Sequence, residues 1–216
     1  MTIKKTLITG SRGYVASFFI KKYKNRLNLC TLRKKLKDID VLKKEHELEN
    51  VIHFASINKF PQFNKNSKKN FKKNIEMFDE IFRHKNKKIN NFFFTSTIDC
   101  GKKIFPNYKK MYVASKLLIE NKLRIYFKKN EIRKVIILRL PSILNPKSKI
   151  FINKLISNIK KNQDVKLSEV PRKFNSITTK EDISDFLYES LKNKKKGFYL
   201  LNFCCNKPIF FQNLFK

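Results

Sequence analysis

The stretch "KTLITGSRGYVASFFIKKYKN" (Lys5–Asn25) decides the fold. It opens on a short apolar run, turns at Gly10 and Gly13, and continues with apolar residues at helical spacing. A strand that turns sharply into a helix needs glycine where the backbone must approach a pyrophosphate, and the helix start then offers N–H groups to the anion. The chain holds only 4 glycines, and two of them fall at this turn. Ala16 takes the third small position, where close helix–strand packing requires a small side chain. Gly10, Ser11, Arg12, Gly13, Tyr14 and Val15 are therefore the expected phosphate-cradling residues.

Working outward, strand-length apolar runs alternate with helical patterns. "LNLCTLR" (Leu27–Arg33) and "NVIHFAS" (Asn50–Ser56) read as strands, and "NFKKNIEMFDEIFRHK" (Asn70–Lys85) as a helix with Ile75, Phe78, Ile81 and Phe82 on one face. "NNFFFTST" (Asn90–Thr97) and "KVIILRLP" (Lys134–Pro141) are further strands, separated by a helix that carries Tyr112 and runs to about Lys129. A helix is expected near "IFINKLISNIKK" (Ile150–Lys161), then a helix "KEDISDFLYESLK" (Lys180–Lys192) and a late strand "FYLLNFC" (Phe198–Cys204). This order predicts an α/β fold of the Rossmann type, a doubly wound parallel sheet covered by helices on both faces. No linker or internal repeat divides the chain, so residues 1–216 read as one domain.

With 41% hydrophobic and 13% aromatic residues the composition is globular. No apolar run has membrane-spanning length and the N-terminus lacks a signal-peptide pattern, which predicts a cytoplasmic protein without membrane insertion. Cys30, Cys100, Cys204 and Cys205 form neither a C-x-x-C nor a cluster with histidine, so no metal is expected. A formal net charge of +33 invites nucleic acid as a partner. The cations are mostly Lys rather than the bidentate Arg, and Lys, Asn, Ile and Phe are used together as in AT-rich coding sequences. The charge is therefore read as compositional drift, with a polyanion-binding role kept as the alternative.

Two Tyr-x-x-x-Lys pairs occur, Tyr112 with Lys116 and Tyr188 with Lys192. In so lysine-rich a chain a chance match is expected, and context has to separate them. Tyr188 lies among Ile183, Leu187 and Leu191 on an apolar stripe, which is a packing environment. Tyr112 begins a helix that follows the strand bearing Ser96, so strand end and helix start converge on the carboxyl edge of the sheet.

The ordered segments carry a resemblance. "TGSRGYVA" is similar to a T-G-x-x-G-x-x-G/A loop, "NVIHFAS" to D-V-I-H-x-A-A, "FFFTSTIDCG" to Y-x-S-S-x-x-V-Y-G, "YVASK" to Y-x-x-S-K, "VIILRLPSILNP" to V-x-x-L-R-x-x-N-V-Y-G-P, and "FNSITTKEDISDFL" to F-N-x-V-x-H-V-x-D-L. Together they resemble the extended short-chain dehydrogenase/reductases, specifically the NAD-dependent epimerase/dehydratase family. The chain departs from the pattern at Cys100, where the family has tyrosine, at "SILNP", and at Thr179, where the family has histidine.

The resemblance implies that Tyr112 moves a proton to or from a substrate hydroxyl. Lys116, one helical turn on, lowers the phenol's pKa and bonds the nicotinamide ribose, and Ser96 donates to the substrate oxygen. It also implies that Phe54, Ala55, Asn74 and Pro141 approach the cofactor, and that Asp38 and Ile39 cover adenine. His53, inside its strand, is read as a satisfied core or cleft-lining residue and not as an acid/base group. About 142–216 would form a small C-terminal substrate-binding region. The implied function is an NAD(P)-dependent oxidoreductase, epimerase or dehydratase acting on a nucleotide-activated sugar in surface polysaccharide biosynthesis. The alternative is a catalytically degenerate Rossmann-type binding protein, and a homodimer is compatible with either. Arg33 and Lys34 stand where an NAD-preferring fold carries an acid, which predicts a preference for NADP over NAD.

Overall fold

The computed structural model describes residues 5–31, 49–57, 66–83, 88–103, 109–145, 157–163, 173–174, 177–204 and 209–210. In chain order the elements are β1 (Thr6–Thr9), α1 (Tyr14–Tyr23), β2 (Leu29–Thr31), β3 (Asn50–His53), α2 (Ser67–Arg83) and β4 (Ile89–Thr97). After a 3-10 turn at Ile98–Gly101 come α3 (Lys110–Lys128), β5 (Ile132–Leu140), β6 (Ser142–Ile143), β7 (Lys173–Phe174), β8 (Ile177–Thr178), α4 (Lys180–Lys192), β9 (Gly197–Asn202) and β10 (Ile209–Phe210).

Six strands form one sheet in the order β2-β1-β3-β4-β5-β9, and every pairing in it is parallel. The chain leaves β1 toward β2 on one side and returns to the other side for β3. The carboxyl ends of β1 and β3 therefore border the crevice that opens where strand order reverses. β6 pairs with β8 and β7 with β10 in two small ribbons beside the main sheet.

Because helices cover both faces, the middles of the central strands are apolar on both sides, Phe92–Phe94 in β4 and Val135–Leu138 in β5. Alternation along β4 sends Phe92 and Phe94 to one side and Phe93 to the other. Phe92 and Phe94 pack with Val135 and Ile137 of β5 against Phe78 and Ile81 of α2 and Ile119 and Leu123 of α3. Phe93 packs with Ile136 and Leu138 against Phe19 of α1 and Ile183 and Leu187 of α4. Ala16, 1% exposed, lets α1 lie close to the sheet.

Two polar details secure α4. Thr179, where the family pattern has histidine, is its N-cap, and its hydroxyl accepts from the Asp182 N–H at 3.0 Å. At the other end the buried Lys134 of β5 donates to the Ser190 carbonyl at 2.7 Å and to the Asn193 carbonyl. A cation at a helix C-terminus complements the exposed carbonyls there.

The doubly wound parallel sheet agrees with the sequence reading. Of the helix expected near 150–161, residues 157–160 are helical, and 146–156 lie outside the described residues. Arg33, Lys34, Asp38, Ile39 and Cys205 also lie outside them. Among the described residues, no helix is long and apolar enough to cross a membrane, and no three His, Cys, Asp or Glu side chains gather as a metal site.

Candidate active site

The turn between β1 and α1 is built around Gly10. Its φ is +69°, a conformation that L side chains rarely adopt. A Cβ there would also stand 2.7 Å from the Ala55 nitrogen and 2.8 Å from its Cα. The turn is closed by the Gly13 N–H donating to the Gly10 carbonyl at 2.8 Å, and a Cβ on Gly13 would meet that same oxygen at 3.1 Å. Gly13 is the N-cap of α1, with no side-chain cap and no acid in the first turn. The start of α1 thus presents backbone N–H groups and the positive end of its dipole to the crevice.

The other predicted loop residues divide. Ser11 and the exposed Arg12 lie in the turn itself, and Val15 is buried in the core with Ala16. Tyr14 reaches across the crevice, its hydroxyl donating to the Leu144 carbonyl at 3.1 Å. Pro141, buried directly after β5, begins the segment that Tyr14 meets.

At the end of β3 the Thr9 hydroxyl lies 2.8 Å from His53 Nδ1 and accepts from the Ala55 N–H at 3.3 Å. His53 is fully buried, stacked on Phe94 and edge-on to Phe78, and burial, with the nearby Lys116 charge, holds its pKa down to about 3. It is a neutral core residue whose Nδ1 is hydrogen-bonded and whose Nε2 has no partner among the described residues, so of the two positions read from the sequence it takes the core one without being fully satisfied. Phe54 and Ala55 follow it as the wall on which Gly10 rests. Asn74 is buried on α2, and its amide is engaged with protein: Oδ1 accepts from the Ile57 N–H at 2.8 Å, and Nδ2 donates to Ser115 Oγ at 3.4 Å. It pins the segment after β3 to α3.

Tyr112 and Lys116 occupy one face of the first turns of α3. Lys116 is 3% exposed; its Nζ donates to the Thr95 carbonyl at 2.8 Å and lies 4.8 Å over the Phe94 ring and 5.6 Å over the Tyr112 ring. Burial draws its pKa down to about 8, with Cys100 and Glu120 opposing. The half-buried Tyr112 phenol is pushed well above its usual value by burial, then by Cys100 and Asp99, while the Ser56 hydroxyl beside it pulls the other way. Asp99 accepts from Lys102 at 2.9 Å and Lys109 at 2.7 Å, which fastens the 3-10 turn to the start of α3.

Ser96 is engaged with protein at the end of β4. Its hydroxyl donates to Glu120 Oε1 at 2.6 Å, and Cys100 Sγ stands 3.6 Å away. Glu120, buried on α3, is clasped by Arg139 of β5 through Nε at 3.1 Å and Nη2 at 2.7 Å. Sequence reasoning missed Glu120, Arg139 and Ser56. The one signal for Glu120 was an acid two helical turns beyond Tyr112 on an otherwise buried face.

A family model described as the NAD dependent epimerase/dehydratase family matches residues 6–188. No curated protein sequence matches. Among solved structures, UDP-N-acetylglucosamine 4-epimerase from Methanobrevibacter ruminantium M1 superposes with a TM-score of 0.75 at 18% identity, over 100% of this chain and 81% of that one. UDP-glucuronic acid 4-epimerase from Bacillus cereus, in complex with UDP-glucuronic acid and NAD, gives 0.73 at 17% identity, over 97% and 80%. RMD from Pseudomonas aeruginosa, complexed with NADPH, gives 0.71 at 17% identity, over 100% and 80%.

Proposed function

The chain belongs to the NAD dependent epimerase/dehydratase family, and from that premise we propose that it binds NAD or NADP and acts on a nucleotide-activated sugar as an epimerase, dehydratase or reductase. The observation that carries this reading is a convergence at one sheet edge. The Gly10 turn and the uncapped start of α1 border the crevice into which the Tyr112 end of α3 also faces. The turn fits a dinucleotide: Gly10 allows no side chain, and α1 offers N–H donors to a pyrophosphate without a competing cap.

Gly10, Ser11, Arg12, Gly13 and the start of α1 would hold the pyrophosphate, and Phe54, Ala55 and Pro141 would line the crevice. When bound, the dinucleotide supplies hydride chemistry at a sugar carbon. Tyr112 then holds or releases the proton of the sugar hydroxyl. Lys116, with an amine already desolvated, would stabilise the phenolate and donate to the nicotinamide ribose. The chain after β5, about 142–216, contributes the small substrate-binding region, while its α4 and β9 complete the Rossmann-type core, and the reaction serves cytoplasmic synthesis of a surface polysaccharide. UDP-sugars are the first substrates to test, since the similar structures named above include enzymes of UDP-sugars.

The test is incubation with NAD or NADP and UDP-glucose, UDP-glucuronic acid or UDP-N-acetylglucosamine, reading cofactor affinity and sugar-nucleotide conversion. Binding of a dinucleotide, conversion of at least one sugar and loss of both in Gly10→Val are expected. A folded wild type with no dinucleotide affinity overturns the reading. Arg33 and Lys34 favour the phosphate of NADPH. Titration should show tighter NADPH than NADH binding, with the advantage lost in Arg33→Ala.

A further inference from the structure

Tyr14 closes a ring of contacts across the crevice. Its hydroxyl donates to the Leu144 carbonyl at 3.1 Å, 130 positions along the chain. The Leu144 N–H donates in turn to the Thr178 carbonyl at 2.8 Å, continuing the parallel pairing of β6 with β8. Thr178 leads through the N-cap Thr179 into α4. Lys180, the first residue of that helix, sets its ammonium 5.0 Å from the centre of the Tyr14 ring and 4.7 Å from that of Phe18. The start of α1, the segment after β5 and the start of α4 are thereby joined around one phenol.

The hydroxyl has no part in shaping the glycine turn, which is closed by the Gly13 N–H on the Gly10 carbonyl. What it adds is a link from that turn to the opposite wall. The wall needs one more than the core does, because β6 and β8 form a two-stranded ribbon outside the six-stranded sheet. A single hydrogen bond of this kind can carry about a two- to tenfold effect between the groups it joins.

We propose that Tyr14 is a positioning residue that couples the two walls of the site. A dinucleotide held at the start of α1 steadies the segment 142–145 through the Tyr14 hydroxyl, and so readies that segment for the sugar substrate. The coupling is reciprocal: a ligand that orders 142–145 tightens the dinucleotide by the same factor. This rests on the reading of the Gly10 turn as a dinucleotide cradle.

The test follows backbone amide hydrogen exchange by NMR in wild type and in Tyr14→Phe, free and with saturating NADPH or NADH. The substitution keeps the ring beneath Lys180 and removes only the hydroxyl. Without ligand it should speed exchange at Leu144 about fivefold. Ser17, whose N–H donates to the Gly13 carbonyl at 2.8 Å, should keep its wild-type rate. A bound dinucleotide should slow Ser17 in both proteins, but Leu144 only in wild type. Leu144 exchange unmoved by the substitution in free protein overturns the proposal, as does slowing of Leu144 by dinucleotide in both proteins or in neither. A wild type in which neither dinucleotide slows Ser17 would sink the cradle reading and the coupling with it. The ligand-free comparison at Leu144 would still decide whether Tyr14 tethers that segment.

Discussion

The two Tyr-x-x-x-Lys pairs share spacing and helical geometry, yet they sit on opposite faces of the sheet in opposite environments. On α3, Lys116 is enclosed, its ammonium bonded to a strand carbonyl and its pKa drawn to about 8. On α4, Tyr188 stacks on Tyr23 with ring centroids 4.2 Å apart, and Lys192 lies 4.8 Å over the Tyr188 ring while paired with Glu189 and 44% exposed. Spacing makes the two side chains neighbours in both cases. Desolvation makes the Lys116 amine a tunable one, because burial penalises a charge that water would otherwise hold.

The sharpest way to break this contrast is to remove each hydroxyl. Tyr112→Phe should lower kcat by roughly two to four orders of magnitude with cofactor affinity nearly unchanged, and Tyr188→Phe should leave turnover at the wild-type level. Equal losses would dissolve the distinction. The next effect is on stability. Between pH 8 and 10.5 the unfolded chain keeps the Lys116 proton and the folded chain does not, so stability should rise with pH across that window. The rise should reach about 3 kcal/mol, since each pKa unit is worth about 1.4 kcal/mol. Denaturant unfolding at several pH values should show this slope undiminished in Lys192→Met and clearly reduced in Lys116→Met, where the buried Lys134, whose pKa is also lowered, supplies what remains. A slope as steep in Lys116→Met as in wild type would mean that the Lys116 amine is not desolvated.

Smaller effects sharpen the α4 side. Tyr188→Leu keeps bulk but removes the stack on Tyr23, and thermal unfolding should report a loss of about 0.5–1.5 kcal/mol with activity intact. A fall in turnover beyond that in stability would give Tyr188 a role in the site. Lys192→Met, at the exposed end of the same helix, should shift stability by no more than ~0.5 kcal/mol.

What the sequence made legible follows from how local each constraint is. The strands could be read because both faces of a covered parallel sheet demand apolar residues, as Phe92, Phe93 and Phe94 show by packing alternately to the two sides. The glycine turn was legible as a pair, but the two glycines meet different demands. Gly10 has a positive φ and backbone against it, whereas Gly13 has an ordinary φ of −66° and is constrained by one carbonyl. The direction of the Ser96 hydrogen was not legible, since it depends on Glu120 and Arg139, 24 and 43 positions further along the chain and brought together only by the fold. Nor was the work of the Asn74 amide legible, which joins Ile57 to Ser115 through contacts that no motif records.

Lys134 carries a consequence for how the chain folds. Its ammonium stands buried in a central strand, and the carbonyls that satisfy it belong to the end of α4, the Ser190 oxygen being 56 residues away in sequence. Any partly folded form with β5 buried and α4 undocked would enclose an unpaired cation, at a cost of several kcal/mol. The penalty falls on the intermediate and not on the native state. It couples closure of the sheet to arrival of the last helix, so the central strand and the late helix should gain protection from hydrogen exchange together, as one cooperative unit.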